Sequence, residues 1–174
     1  MTTILLTTLN ARYAHSALGL RYLYANMKEL QNDTQIVEFT INEQIQSIAE
    51  VILEHAPKIV GISVYIWNAT ETAQLIEILK KVAPETIIVL GGPEASYMPH
   101  RVNFDNADYI ISGEGEIAFY ELCKEILSPV RPELVEGFHG STGSPRTKPS
   151  ERFIRAPMPD LSAISLPYTA YSDE

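Results

Sequence analysis

Short β-prone apolar runs alternate with amphipathic helical segments over the first 127 residues, and this alternation constrains the fold more than any other feature. The runs that predict strands are 3–8, 35–40, 59–64, 86–90 and 108–111. The segments between most of them carry apolar residues at every third or fourth position, which is typical of helices that cover one face of a sheet. Regular strand–helix alternation with short loops predicts a parallel sheet with helices on both faces.

Five strands joined by right-handed crossovers predict an α/β fold of the flavodoxin-like, doubly wound kind. The five-stranded parallel sheet then has the order 2-1-3-4-5. In such a sheet, ligands bind outside the carboxyl ends of the strands, where the strand order reverses. The loops at these ends are 9–16, 65–68, 91–96 and 113–116, and we expect any ligand site there.

The chain divides into three parts by composition. Residues 1–127 carry the periodic segments and predict one domain. Residues 128–152 are rich in Pro, Gly, Ser and Thr without periodicity, which predicts a flexible insertion or linker. Residues 153–174 contain three further prolines and no clear element, so they are interpreted as a connector towards a further domain.

Charge and cysteine content exclude several functions. The net charge of −9 disfavours nucleic acid as a partner, because an acidic surface repels phosphate backbones. Cys123 is the only cysteine, so the chain can form neither an intrachain disulfide nor a thiolate-bound iron–sulfur cluster. A single thiol fits a cytoplasmic location, and its helical surroundings predict a packed side chain. No apolar run reaches the ~18 residues that predict a membrane span.

Two glycine motifs follow strands. Gly91-Gly92 allows either a tight turn or the close approach of a ligand to the backbone. Gly113 and Gly115 precede a helix, but Glu114 and Glu116 would repel a phosphate, so a nucleotide-binding loop is disfavoured. For Glu116 we favour helix capping over catalysis.

Histidine and aromatic side chains also lie in these loops. His15 is either a metal ligand or a solvated loop residue. Tyr13, Tyr65 and Trp67 could wall a planar ligand or pack over the edge of the sheet, and Trp67 is interpreted as the likelier core residue because it ends a buried strand. Asn68 with Glu71 matches a helix-capping pattern.

Two sequence blocks resemble a known family. They are NARYAHSALGLRYL, which begins at Asn10, and GGPEA at Gly91 followed by DYIISGEGEIAF at Asp108. Together they resemble the N-terminal cobalamin-binding domains of radical-SAM proteins. The resemblance covers about residues 3–127, and Leu166-Pro167-Tyr168 is similar to the connector that leads to the radical-SAM barrel in such proteins.

The resemblance implies a corrinoid seated on the carboxyl ends of the strands. Classical cobalamin modules carry an Asp-x-His-x-x-Gly motif whose His is the lower ligand of cobalt. His15 matches that His, while Tyr13 stands for the Asp and Leu18 for the Gly. The resemblance therefore implies His15 as the candidate cobalt ligand, although members of the radical-SAM group also bind the corrinoid without one.

The leading hypothesis is a cobalamin-binding domain of a radical-SAM enzyme that performs methyl transfer or cyclase-type chemistry. S-adenosylmethionine and a 4Fe-4S cluster would belong to a barrel domain in cis, and this chain alone would not be a complete enzyme. The alternative is a cofactor-free docking or substrate-recognition module of the same fold. The expected cofactor-binding residues are Asn10, Tyr13, His15, Ser63, Tyr65, Gly91, Gly92, Glu94, Gly113, Glu114, Gly115 and Glu116.

Overall fold

A six-stranded parallel sheet forms the centre of the protein. The computed structural model describes residues 2–11, 16–128 and 152–170. The strands are β1 (Ile4–Asn10), β2 (Thr34–Thr40), β3 (Ile59–Ser63), β4 (Ile87–Gly91), β5 (Tyr109–Ser112) and β6 (Phe153–Arg155). Their order is β2-β1-β3-β4-β5-β6, and every neighbouring pair is parallel. The predicted flavodoxin-like order 2-1-3-4-5 is confirmed, with one strand added at the β5 edge.

Helices cover both faces of the sheet. They are α1 (Leu18–Ala25), α2 (Ile45–Glu54), α3 (Ala69–Val82), α4 (Pro93–Ser96) and α5 (Gly115–Leu127). Short 3₁₀ helices span Lys28–Asp33, Leu161–Ala163 and Pro167–Ala170. None of the helices in the described ranges is long and apolar enough to cross a bilayer.

Alternate side chains of each strand enter two separate cores, because successive residues of a strand face opposite sides. Leu5, Val60 and Leu90 pack with α2 and α3 on one face. Ile4 and Ile111 pack with α1 and α5 on the other. A doubly covered sheet of this kind leaves only the strand ends and the connecting loops for contact with a ligand.

Gly61 of β3 allows α5 to pack closely on the sheet. A Cβ at this position would lie 2.9 Å from two ring carbons of Phe119 and 3.0 Å from Leu6 Cδ2. The phenylalanine ring therefore lies directly on the backbone of β3. Cys123 of the same helix is buried, as predicted, and burial raises the pKa of its thiol to about 12.

β6 corrects the interpretation of 153–174 as a connector without secondary structure. Ile110, Ile111 and Ser112 of β5 pair with Phe153, Ile154 and Arg155, and Ala156 N donates to Ser112 O at 2.9 Å. A three-residue strand is too short to show alternation in a sequence, so the pairing depends on tertiary contacts that periodicity does not reveal. Most of the predicted insertion, residues 129–151, lies outside the described residues.

Candidate functional site at the carboxyl edge of the sheet

The carboxyl ends of the central strands meet at one edge of the molecule. β1 ends at Asn10, β3 at Ser63, β4 at Gly91 and β5 at Ser112. Ser63 pairs with Gly91 in the register of β3 and β4. The strand order reverses between β1 and β3, so this edge contains the switch point at which open α/β sheets bind ligands. The structure thus brings Asn10, Ser63 and Gly91 together as predicted.

Asn68 joins the two strands at the switch point. Its fully buried amide nitrogen donates to Thr8 Oγ1 at 3.2 Å, Leu9 O at 3.1 Å and Ser63 O at 3.3 Å. Its amide oxygen accepts from Tyr65 N at 2.8 Å. Asn68 does stand at the start of α3, but its side chain makes no capping hydrogen bond to that helix, contrary to the capping interpretation. It fixes the loop after β3 instead.

The two glycines after β4 have different roles. Gly92 has φ of 93°, and a Cβ there would lie 2.6 Å from Val64 O and 2.9 Å from Val64 N. Gly92 is therefore required by the fold. Gly91 is extended, and its nearest heavy atom to an added Cβ is Ile111 O at 3.9 Å, so the fold does not require glycine there. The tight-turn interpretation therefore applies to Gly92, and the close approach of a ligand at Gly91 stays a prediction.

An aromatic stack stands on the loop after β3. The rings of Tyr65 and Trp67 are 4.5 Å apart and almost parallel. Trp67 is 45% exposed, so the interpretation of Trp67 as a core residue is wrong. The chain leaves the sheet at Ser63, and the following turn directs residues 66 and 67 towards solvent. The neighbouring Ile66 is 59% exposed, which makes this loop an apolar rim of the edge.

Carboxylates line the β4 and β5 side of the edge. The side chain of Glu94 is 16% exposed, with the Arg101 guanidinium 3.9 Å away. Glu114 occupies the position before α5 without capping it. Glu116 lies in the first turn of that helix, and one of its carboxylate oxygens is buried without a hydrogen-bond partner. Glu116 makes no capping hydrogen bond among the described residues, and its place in the first turn is one where the helix dipole suits an acidic side chain.

Gly113 and Gly115 serve packing. Gly113 has φ of 96°, and a Cβ there would lie 2.9 Å from Ala156 O, so the residue that follows β6 lies directly against this loop. A Cβ on Gly115 would lie 3.4 Å from Leu23 Cδ2 on α1. Both glycines lie at the carboxyl edge, and the contacts that the structure shows for them are with the protein itself, so their role in ligand binding stays a prediction.

The side chain of Asn10 is fixed by Glu38, a residue that the sequence did not predict to take part in the site. The amide nitrogen of Asn10 donates to Glu38 Oε2 at 2.6 Å, and the same oxygen accepts from Ala17 N at 2.8 Å. Arg21 pairs with the other oxygen of Glu38. The signal for Glu38 was a single charged residue inside the predicted strand 35–40.

Tyr13 and His15 lie outside the described residues, so the structure does not place them. Among the described residues, no group of three or more His, Cys, Asp or Glu side chains is arranged to hold a metal ion. The role of His15 as a cobalt ligand stays a prediction.

Comparison with known proteins identifies the domain. The sequence profile of the B12 binding domain matches residues 4–123, which is more than half of the chain. The chain belongs to the B12-binding domain family. Cobalamin is the cofactor of this family, so the expected cofactor is confirmed at the level of the domain. The matched residues run from the start of β1 into α5.

Curated relatives of this B12-binding domain are methyltransferases. Cytidylyl-2-hydroxyethylphosphonate methyltransferase of Streptomyces wedmorensis is 27% identical over 141 residues, which cover 79% of this chain and 26% of that protein. The cobalamin-dependent radical SAM methyltransferase TokK of Streptomyces tokunonensis is 30% identical over 129 residues, covering 69% and 18%. The chain thus spans about a quarter of the length of the first relative and less than a fifth of the second.

Solved structures with the same fold include cobalamin proteins. A cobalamin-binding protein from Desulfitobacterium hafniense DCB-2 superposes with a TM-score of 0.52 at 16% identity, covering 73% of this chain and 59% of that one. The cobalamin-dependent S-adenosylmethionine radical enzyme OxsB superposes with a TM-score of 0.56 at 18% identity, covering 76% and 19%. At these identities the likeness confirms the fold.

The residues at the carboxyl edge fit a flat macrocycle that carries amide groups. Gly91 leaves bare backbone where a side chain would project, and Tyr65 with Trp67 provides an apolar rim beside it. Glu94, Glu114 and Glu116 provide acceptors for amide N–H groups. Flat apolar surface with a few convergent polar groups is the usual composition of a cofactor site.

Proposed function

We propose that this domain seats cobalamin on the carboxyl edge of its sheet, within a longer radical-SAM enzyme. The corrinoid ring would lie over Gly91, with the β3 loop on one side and the β5–α5 loop on the other. The proposed contacts are Asn10, Tyr13, His15, Ser63, Tyr65, Gly91, Gly92, Glu94, Gly113, Glu114, Gly115 and Glu116. Of these, Gly92 and Gly113 act by letting backbone segments approach closely.

The observation that carries this placement is the absence of any tight contact at Gly91, where a side chain would fit. Gly92, Gly113 and Gly61 are each explained by a Cβ contact of 3 Å or less with neighbouring protein, whereas an added Cβ on Gly91 has no neighbour closer than 3.9 Å. A glycine with no tight contact and no positive φ, at the carboxyl edge of a B12-binding domain, is explained by a ligand that lies against the backbone.

The chemistry comes from the cofactor, and the protein contributes binding and orientation. When bound, cobalamin supplies a cobalt centre that can carry a methyl group. The described residues hold the edge in shape: Asn68 fixes the β3 loop, Gly92 lets the β4 turn lie against Val64, and β6 packs against Gly113. The Tyr65–Trp67 rim would exclude water from the side of the ring that it faces.

The remaining machinery would lie elsewhere in the longer protein. Two relatives named as methyltransferases favour methyl transfer over cyclase chemistry for the whole enzyme. S-adenosylmethionine and the 4Fe-4S cluster belong in this proposal to a barrel domain in cis, because Cys123 is buried and a cluster needs several thiolates. The cofactor domain would comprise residues 1–127 with β6, and the remainder of 153–174 would lead to the barrel. A cytoplasmic location is part of the same proposal.

A titration with hydroxocobalamin, followed by absorbance, tests the placement over Gly91. We expect saturable binding by the chain, and a loss of at least roughly tenfold in affinity in Gly91→Val, because the valine would occupy the surface under the ring. Gln35→Val places the same side chain at the exposed edge strand and is the matched control, with unchanged affinity expected. Equal affinity of Gly91→Val and the control would refute the placement, and no saturable binding by the chain would refute cobalamin binding by this domain alone.

The same titration with His15→Ala tests the metal ligand. If the imidazole of His15 holds cobalt, the spectral change of the bound corrinoid is lost in the variant. If the corrinoid binds without a histidine, the spectrum and the affinity are the same in both proteins. The measurement therefore distinguishes the two arrangements that the resemblance implies.

A further inference from the structure

The carboxylate of Glu38 binds the two ends of the β1–α1 connection. Glu38 lies on the edge strand β2, and its side chain is only 17% exposed. Its Oε2 accepts from Asn10 Nδ2, at the end of β1, and from Ala17 N, at the start of α1. Its Oε1 accepts from Arg21. One carboxylate thus connects Asn10, the last residue of β1, to Ala17, the residue just before α1.

This carboxylate is charged at neutral pH. Burial acts to raise the pKa of Glu38, but the hydrogen bonds from Arg21, Asn10 and Ala17 outweigh it and hold the pKa below its ordinary value. A negative charge at the first residue of a helix is also favoured by the helix dipole. Since charge-assisted hydrogen bonds are the strong ones, the orientation of the Asn10 amide is well determined.

The orientation of the Asn10 amide matters because it leaves the amide oxygen available to accept a hydrogen bond. The amide nitrogen is directed at Glu38, so the amide oxygen is the remaining polar group of that side chain. This oxygen makes no hydrogen bond to another described residue, and Asn10 is partly exposed at the carboxyl edge. Corrinoids carry primary amides around the ring, and their N–H groups need acceptors when they leave water.

We propose that Glu38 is a positioning residue for cobalamin, which fixes Asn10 so that its amide oxygen accepts an N–H from a peripheral amide of the corrinoid. This inference rests on the proposed function. In this proposal Asn10 contacts the corrinoid, and Glu38 acts on the corrinoid only by fixing Asn10. Glu38 itself does not touch the ligand, because both of its oxygens are engaged by the protein.

A double-mutant cycle tests the coupling. Hydroxocobalamin is titrated against the wild-type chain, Asn10→Ala, Glu38→Ala and the double variant. We expect each single variant to lose roughly five- to tenfold in affinity, which is the range of one hydrogen bond. In the Asn10→Ala background, Glu38→Ala should add less than about twofold, because the group on which it acts is already absent.

Glu43→Ala is the matched control. Glu43 accepts from Thr40 N at 2.6 Å and so fixes the loop after the same edge strand, without touching Asn10 or Ala17. Its affinity for hydroxocobalamin should equal that of the wild type. Asn10→Ala keeps the contacts of Glu38 with Ala17 and Arg21, so this variant remains informative if Glu38→Ala fails to fold.

A second ligand separates recognition from a structural effect. A corrinoid whose peripheral amides are replaced by methyl esters keeps the ring and lacks N–H donors, so Asn10→Ala should bind it as well as the wild type does. An equal loss for the ester and the amide corrinoid, independent losses in the cycle, or unchanged affinity in Asn10→Ala would each overturn the inference. Absence of saturable binding by the wild-type chain would instead refute cobalamin binding by this domain alone, on which the inference rests.

Discussion

The backbone of Gly92 lies against the backbone of Val64, and a Cβ on Gly92 would be 2.6 Å from the Val64 carbonyl oxygen. Gly91, its neighbour, has no such contact. The fold therefore requires glycine at position 92 and does not require it at position 91. This contrast gives the first of five predictions.

Gly92→Ala should destabilise the protein by about 3 kcal/mol, because the alanine combines a backbone clash with a positive φ. Gly91→Ala should change the free energy of unfolding by less than about 1 kcal/mol, since the methyl group meets only Ile111 O at an ordinary contact distance of 3.9 Å. Urea denaturation of both variants measures the difference. Equal stability of the two would show that the Gly92–Val64 contact does not constrain the turn.

Asn68→Ala should cost about 3 kcal/mol of unfolding free energy, because it leaves Tyr65 N and two carbonyl oxygens without their buried partner. Asn103→Ala is the control, since Asn103 accepts from Asp105 N in an exposed turn and should cost less than about 1 kcal/mol. Thermal denaturation of the two variants provides the comparison. A small effect at Asn68 would mean that the β3 loop is held by other contacts.

Cys123 should react slowly with thiol reagents in the folded protein. Burial raises the pKa of this thiol to about 12, so at pH 8 the reactive thiolate is scarce as well as inaccessible. Labelling with a disulfide reagent should be complete within minutes in denaturant and at least roughly a hundredfold slower without it. Equally fast labelling in both conditions would contradict the burial of this side chain.

The contribution of Glu38 to stability should depend on pH in a defined direction. Its pKa is lower in the folded protein than in the unfolded chain, so the unfolded state binds the proton first as the pH falls. The stabilisation is complete above the unfolded pKa of about 4.5 and is lost as the pH falls through the folded value. The difference in unfolding free energy between wild type and Glu38→Gln should be constant near pH 7 and shrink in acid. If the difference in unfolding free energy grew as the pH fell, it would contradict a lowered pKa of Glu38 in the folded protein.

Asn26 should hold the C-terminal segment against the domain. Its buried side chain donates to Ser165 O at 3.0 Å and accepts from Ser165 N at 2.8 Å, in the manner of a strand partner. In Asn26→Ala we expect faster amide hydrogen exchange at Ser165, with Asn32→Ala, at an exposed position of the 3₁₀ helix Lys28–Asp33, as the control. Unchanged exchange at this amide would show that the segment is held elsewhere.

The periodic elements were predictable from the sequence, and the contacts between them were not. Alternation of apolar runs with helical stripes is local information, and it predicts five strands, their order and the edge at which Asn10, Ser63 and Gly91 meet. Trp67 was misjudged because its strand ends at Ser63, and a shift of a few residues in a strand boundary changes which side chains are buried.

Glu38, Asn68 and β6 illustrate what the sequence leaves out. Glu38 acts on residues 17 to 28 positions away, and Asn68 on residues up to 60 positions away. Such distant hydrogen bonds leave no periodic signal. Only the folded chain shows that a carboxylate on the edge strand orients the Asn10 side chain at the carboxyl edge of the sheet.

Amide hydrogen exchange with and without hydroxocobalamin is the measurement that addresses the seat of the cofactor most directly. If the corrinoid lies on the carboxyl edge, exchange slows on binding in the loops 64–68, 91–94 and 112–116. The loops at the opposite edge, 55–58 and 83–86, should exchange at the same rate in both conditions. Protection confined to the opposite edge, or no protection at a saturating concentration of hydroxocobalamin, would show that this edge is not the cobalamin seat.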